Sequence, residues 1–140
     1  MNHIHHEWLI MEGRRILVVD DSKDITSLIE DILCDDGAHV STAETGQEAM
    51  AMLAGDNFDL LLLDLGMPEP NGWDVLEFIE KTVPHMLVRT AVLTGMCYNR
   101  DVVKTLQDKG ITHLFKPFQI DSLRNTVCGL LSKVELSVSA

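Results

Sequence analysis

Phe58-Asp59-Leu60-Leu61-Leu62-Leu63-Asp64-Leu65-Gly66-Met67-Pro68-Glu69-Pro70-Asn71-Gly72 is the stretch that decides the fold. Its apolar run, Leu60 to Leu63, is too short for a helix and is bounded by turn residues, so it reads as a strand buried on both faces. In an open parallel α/β sheet, ligands bind just beyond the carboxyl ends of the strands. Asp64 ends this strand, so a carboxylate stands where chemistry would be placed. Alone, Asp64 could as well cap the following turn; its meaning depends on what converges there.

Upstream, Ile16-Leu17-Val18-Val19 is a second buried strand, closed by Asp20-Asp21. Ser22 or Asp21 caps a helix whose Ile25, Leu28, Ile29, Ile32 and Leu33 share one face, and Gly37 stops it. Residues 38–43 form a short strand. Thr45-Gly46-Gln47-Glu48 has the form of a capping box opening a helix through Ala49, Met50 and Leu53. Downstream of Gly72, a helix carries Val75, Leu76 and Ile79 inward and ends near Val83, because Pro84 disfavours helical geometry before it. Residues 87–93 read as a fourth strand closing on Thr94-Gly95. A helix with Val102, Val103 and Leu106 inward stops at Gly110, and residues 111–115 give a fifth strand ending at Lys116-Pro117. The last helix runs from Ile120 to about Val134.

Strict βα alternation with short connections predicts a flavodoxin-like, doubly wound α/β fold: a five-stranded parallel sheet, order 2-1-3-4-5, with five helices. The expected organisation is one domain over residues 14–135, a flexible tail over 1–13 that includes His3, His5 and His6, and a frayed end over 136–140.

At 140 residues with a formal charge of -11 and pI near 4.7, the chain lacks the basic footprint that nucleic acid or an anionic membrane requires. Cys34, Cys97 and Cys128 show no CxxC spacing and are expected to be buried, inert thiols. With no apolar run long enough to span a bilayer and no signal-peptide pattern, the expected location is the cytoplasm.

Three strands thus deliver chemistry to one edge: Asp20 and Asp21, then Asp64, then Lys116, with Thr94 adding a hydroxyl from the fourth. Each has an ordinary explanation when taken singly, as a cap, a turn residue or a solvated charge. In the predicted strand order the acidic groups share one cleft, where repulsion obliges them to bind protons or a cation. Oxygen ligation suits Mg2+, with Mn2+ as the other candidate, and the Gly66 carbonyl would complete the set. Lys116 and Thr94 are placed to receive an anion on the metal's far side. A carboxylate beside a divalent ion, a lysine and a hydroxyl is equipped for phosphoryl transfer, and Asp64 lies between the metal pair and the Thr94/Lys116 pair.

Asp20-Asp21, Asp64 followed by Met67-Pro68 and Gly72, Thr94-Gly95 and Lys116-Pro117-Phe118 stand in the order and spacing of a known family. The chain resembles the receiver domain of bacterial two-component response regulators, of the single-domain, chemotaxis-regulator type. The resemblance implies phosphotransfer to Asp64 from a sensor histidine kinase or a histidine phosphotransfer protein. It also implies Mg2+ held by Asp21, Asp64 and the Gly66 carbonyl, with Asp20 acting through water, and a cis bond before Pro117. It makes the chain a signalling phosphoacceptor rather than a turnover enzyme. In that family, movement of the threonine lets an aromatic side chain three residues before the lysine turn inward, a position held here by His113, and helix 4, strand 5 and helix 5 form the readout surface. Gly66 and Met96 stand two residues beyond Asp64 and Thr94, and neither can hydrogen-bond an attacking water through its side chain.

With no output domain expected within the chain, the signal would leave through an unknown downstream protein, dimerisation or a relay, without direct contact to nucleic acid or membrane; oligomeric state and origin from a longer protein stay open. Rival readings are a flavin binder, opposed by Asp20-Asp21 where phosphate donors would be needed. A phosphohydrolase is opposed by Ser22 where a second acid would stand. A docking module on the same fold that no longer depends on phosphate is the closest alternative.

Overall fold

The computed structural model describes residues 6–95 and 99–139, with side chains over 9–95 and 99–133. Five strands, β1 (Arg15–Val19), β2 (His39–Ala43), β3 (Leu60–Asp64), β4 (Thr90–Thr94) and β5 (Thr112–Phe115), alternate with helices α1 (Lys23–Asp35), α2 (Gly46–Gly55), α3 (Gly72–Thr82), α4 (Arg100–Asp108) and α5 (Ile120–Ser139). The sheet is parallel throughout, in the order β2-β1-β3-β4-β5. This is the flavodoxin-like architecture expected from the alternation.

All five residues of β3 are buried, because both faces of the sheet are covered. Leu17, Val19, Leu61, Leu63 and Val92 pack against α2, α3 and α4, whereas Ile16, Val18, Leu60, Leu62 and Leu93 pack against α1 and α5. A strand with two dry faces needs a continuous apolar run rather than alternation, which is what Leu60 to Leu63 supply. Gly72 opens α3 against the loop that follows Asp64. A Cβ there would lie 2.6 Å from the Asp64 carbonyl oxygen and from Leu65 Cα, so only glycine permits that approach.

Four expectations are corrected. Residues 6–13 are not a loose tail: His6–Met11 forms a 3-10 turn, Met11 is fully buried among the α1 and α5 side chains, and the Gly13 amide donates to the Gly37 carbonyl at 2.9 Å. Met11, with Ile10 packed beside the same cluster, anchors this segment, and two adjacent apolar residues offer no periodicity for sequence reasoning to detect. His3 and His5 lie outside the described residues. We expect Met11→Ala to cost about 3 kcal/mol of unfolding free energy by chemical denaturation, the range for truncating a buried methionine, where a loose tail would show no change.

β4 starts at Thr90, not at Leu87: Pro84–Arg89 forms a 3-10 turn that buries Met86 and leaves Val88 65% exposed. Proline in the first turn of a helical segment presets its φ, and the Thr90 hydroxyl donates to the Met86 carbonyl at 2.6 Å, closing the turn. The thiols also differ from expectation. Cys128 is buried, but Cys34 lies on the solvent face of α1; Cys97 lies outside the described residues. At its far end α5 runs to Ser139, past the expected stop at Val134. No helix among the described residues is long and apolar enough to cross a membrane.

Candidate functional site at the carboxyl edge of the sheet

Strand register sets the site. Val19 pairs with Leu63, so Asp20 and Asp64 leave the sheet at the same level. Asp64 pairs with Leu93, placing Thr94 one residue further out, and Thr94 pairs with Phe115, placing Lys116 one further again. The Lys116 amide donates to the Thr94 carbonyl at 2.8 Å, which continues the ladder past the end of β5. The Lys116–Pro117 peptide bond is cis, as is Glu69–Pro70.

Local chemistry holds each carboxylate in place. Asp20 Oδ1 accepts from the Ser22 amide at 2.9 Å, turning the chain so that Ser22 Oγ caps α1 at Ile25. Asp64 Oδ1 accepts from the Gly66 amide at 3.0 Å. The Asn71–Asp74 capping box starts α3 directly behind that loop. Carboxylate oxygens of Asp20, Asp21 and Asp64 lie within 4.8 Å of one another, the first and last buried and Asp21 exposed. Lys116 Nζ donates to Asp20 Oδ2 at 2.6 Å and lies 3.5 Å from Asp64 Oδ1. Thr94 is buried beside them.

Among the described residues, the three clustered carboxylates are met by one ammonium, Lys116, which touches Asp20 and Asp64. Desolvation raises the Asp64 carboxyl above the ordinary value of 3.8; the Gly66 amide opposes that, the Asp20 charge adds to it, Lys116 opposes it and Asp21 adds to it again. A hard, oxygen-only donor set with surplus negative charge and one solvent-facing member fits a divalent cation that retains water, so the residues present fit magnesium. Because Asp64 must be ionised to bind metal, Mg2+ affinity should fall on acidification from a pH above the normal carboxylate range. Trp73 fluorescence in a Trp8→Phe background, titrated with Mg2+ between pH 7.5 and 4, measures this; an affinity that stays flat across that range contradicts it.

The structure thus brings Asp20, Asp21, Asp64, Thr94 and Lys116 together and places the Gly66 backbone against the Asp64 carboxylate. A Cβ on Gly66 would lie 3.6 Å from Asp64 Oδ1, so this position borders the acceptor oxygen. His113 sits apart, half-buried on β5, its ring centroid 5.0 Å from that of Phe115 at 53°. Met96 lies outside the described residues. Two features escaped sequence reasoning. The direct Lys116–Asp20 ion pair joins residues that look like partners of separate ligands. The Gly66 amide binds the same residue its carbonyl was expected to assist, and only the Asp-x-Gly spacing hinted at that turn.

Comparison with known proteins gives a consistent picture. A family model for the response regulator receiver domain matches residues 16–128. The transcriptional regulatory protein CpxR of Klebsiella pneumoniae subsp. pneumoniae is 38% identical over 104 residues, covering 74% of this chain and 43% of CpxR. The chain therefore spans less than half the length of that relative. Among solved structures, a CheY-like receiver domain protein from Methanospirillum hungatei superposes with TM-score 0.81 at 27% identity, over 90% of this chain and 99% of that one. The beryllofluoride-activated NtrC4 receiver domain dimer gives TM-score 0.77 at 32% identity, over 85% and 97%.

Proposed function

The chain belongs to the response regulator receiver domain family of two-component systems, and on that premise we propose that Asp64 accepts a phosphoryl group from a phosphohistidine on a sensor histidine kinase or a histidine phosphotransfer protein. The observation that carries this reading is the meeting of Asp20, Asp21, Asp64 and Lys116 at one edge of the sheet. An Asp64 oxygen attacks phosphorus in line with the P–N bond. That bond breaks, its electron pair stays on the imidazole nitrogen, and the freed imidazole takes up a proton.

Asp21, Asp64 and the Gly66 carbonyl would hold Mg2+, or Mn2+, with Asp20 alongside, and a bound divalent cation neutralises charge developing on the transferred oxygens. Lys116, now held by Asp20, is within reach of a phosphoryl oxygen on Asp64, and the Thr94 hydroxyl serves as a donor to another. A phosphoryl group carries about -1.5 to -2 charges, so both are drawn towards Asp64. The resulting shift at the ends of β4 and β5 is read by a downstream partner on α4, β5 and α5. This makes the chain a phosphoacceptor acting in the cytoplasm rather than a turnover enzyme. Where it is joined to an output domain, as the name of its transcriptional relative suggests, any DNA contact falls to that domain, since this one is acidic.

The test is incubation with Mg2+ and a small phosphodonor, followed by mass measurement. One added phosphoryl group per chain, dependent on Mg2+, is expected. No adduct while Mg2+ still binds would leave the fold but remove the acceptor role.

A further inference from the structure

The loop between β3 and α3 carries Gly66 between two buried plugs, Leu65 and Met67, both packed in the α2/α3/α4 core. Pro68 and Glu69 then face solvent, and half-buried Pro70 turns back to lie against α2. What it meets there is Gly46, the first residue of that helix. A Cβ on Gly46 would fall well inside contact distance of the Pro70 carbonyl oxygen, 3.1 Å from the carbonyl carbon and 3.2 Å from Cγ, so the two segments touch only because position 46 has no side chain.

The backbone at position 46 does not ask for glycine. Its φ is not positive, unlike those of Gly13, Gly37 and Gly110, and alanine is the better helix former. The helix end is also firmly held: the Thr45 hydroxyl accepts from the Glu48 amide at 3.1 Å, the Glu48 carboxylate accepts from the Glu44 amide at 2.9 Å, and Ala49 and Leu53 are buried in the core below. At the far end of the loop, the Asn71–Asp74 capping box and Gly72 fix the start of α3. Between these anchors the exposed Pro68–Glu69 stretch has the room to move. A methyl group on Gly46 therefore displaces the loop rather than the helix, by on the order of 1 Å to regain contact distance.

Resting on the reading of Asp64 as a metal-assisted phosphoacceptor, we propose that Gly46 is a positioning residue for the site: by admitting the Pro70 carbonyl onto the first turn of α2, it sets where the loop holds Gly66 against Asp64, and with that the affinity for the divalent ion. The Gly66 amide donates to Asp64 Oδ1 at 3.0 Å, so a loop pushed away from α2 moves a group bonded to the acceptor itself. Mg2+ is sensitive to such displacements because it demands near-ideal octahedral geometry. Groups that orient a metal's ligands from behind typically govern affinity by about 10- to 100-fold. Asp20 and Asp21 lie on the loop after β1 and stay in place, which puts the expected effect at the lower end of that range.

The experiment compares Gly46→Ala with Gly55→Ala, both in the Trp8→Phe background. Gly55 ends the same helix with open space where its Cβ would be, so it controls for adding a methyl group to α2. Mg2+ titration followed by Trp73 fluorescence gives the dissociation constant, and urea midpoints without metal give stability. Gly46→Ala should bind Mg2+ about tenfold more weakly, and Gly55→Ala as tightly as the background. A Gly46→Ala protein that loses stability but keeps its Mg2+ affinity makes the glycine merely structural and overturns the proposal, as does an equal loss of affinity in Gly55→Ala. Should Gly46→Ala fail to fold, the wild type decides: coupling is reciprocal, so Mg2+ should shift the Gly46 and Gln47 amide resonances with the same saturation curve as Gly66, and unmoved resonances overturn the inference. A wild type that binds no Mg2+ overturns it together with the metal-assisted reading, whereas Mg2+ binding without a phosphoryl adduct removes the acceptor role alone.

Discussion

Asp64→Asn should abolish uptake of a phosphoryl group or of beryllofluoride while making the metal-free protein more stable at neutral pH. The amide is nearly isosteric, and its oxygen can keep the bond from the Gly66 amide at 3.0 Å, so the loop after β3 and the start of α3 have no reason to move. An amide oxygen is not a competent nucleophile, however, and no other carboxylate in the cleft takes its place: Asp20 is bound to Lys116 and to the Ser22 amide, and Asp21 is exposed at the rim.

The stability gain follows from the sign of the Asp64 shift. Desolvation and the neighbouring carboxylates raise its folded-state pKa above the unfolded value. The native state therefore holds the proton more tightly than the unfolded chain, and ionising Asp64 costs native stability at every pH above the raised value. This cost disappears as pH falls towards the ordinary carboxylate range. Replacing the carboxylate with a neutral amide removes the cost at pH 7, a gain of about 1 kcal/mol, or roughly 4 °C in midpoint for a chain of this size. The two variants converge in acid. Parallel thermal melts and intact mass after phosphodonor treatment check both halves; label retained in Asp64→Asn would move the acceptor to another residue.

How far this site could be read in advance depended on where each signal is stored. Asp20, Asp64 and Lys116 each close an apolar run, and the run itself announces the strand, so chemistry and fold were written in the same few residues. Strand order followed because connections too short for anything but helical crossovers leave few topologies. What escaped is stored across the chain rather than along it. Met11 looks like any tail residue until α1 and α5 close over it. The run from Leu87 to Leu93 is apolar except at Arg89 and Thr90, and the packing of Met86 and the Thr90 hydroxyl divides it into a turn and a strand. Cys34 lies among the apolar residues of α1, yet the helical phase turns it outward. The Lys116–Asp20 pair spans 96 residues and depends on strand register, which no local pattern specifies.

That pair underlies the second large effect: Lys116→Met should destabilise the metal-free protein and make its stability depend strongly on Mg2+. Lys116 Nζ is the one ammonium paired with the Asp20 and Asp64 carboxylates of the acidic cluster among the described residues, and the Asp20 side chain it binds at 2.6 Å is 1% exposed. Methionine fills a similar volume, so packing changes little and the loss is electrostatic. Breaking a buried pair by removing one partner leaves an uncompensated charge; with Lys116 itself 23% exposed, the cost should be about 3 kcal/mol in the absence of metal. A divalent cation bound by the same carboxylates replaces the missing charge, and ligand binding to the native state alone adds stability in proportion to ln(1 + [L]/Kd). Saturating Mg2+ should therefore recover most of the loss in Lys116→Met. In the wild type it should add less, because Lys116 already neutralises part of the cluster. Denaturation midpoints of both proteins with and without Mg2+ form a double cycle, and additivity within error would mean that lysine and metal do not share those carboxylates. Phosphoryl uptake separates the roles further: restoring the fold with Mg2+ does not restore the donor that Lys116 offers to a phosphoryl oxygen, so adduct formation in Lys116→Met should stay impaired even where its stability matches the wild type.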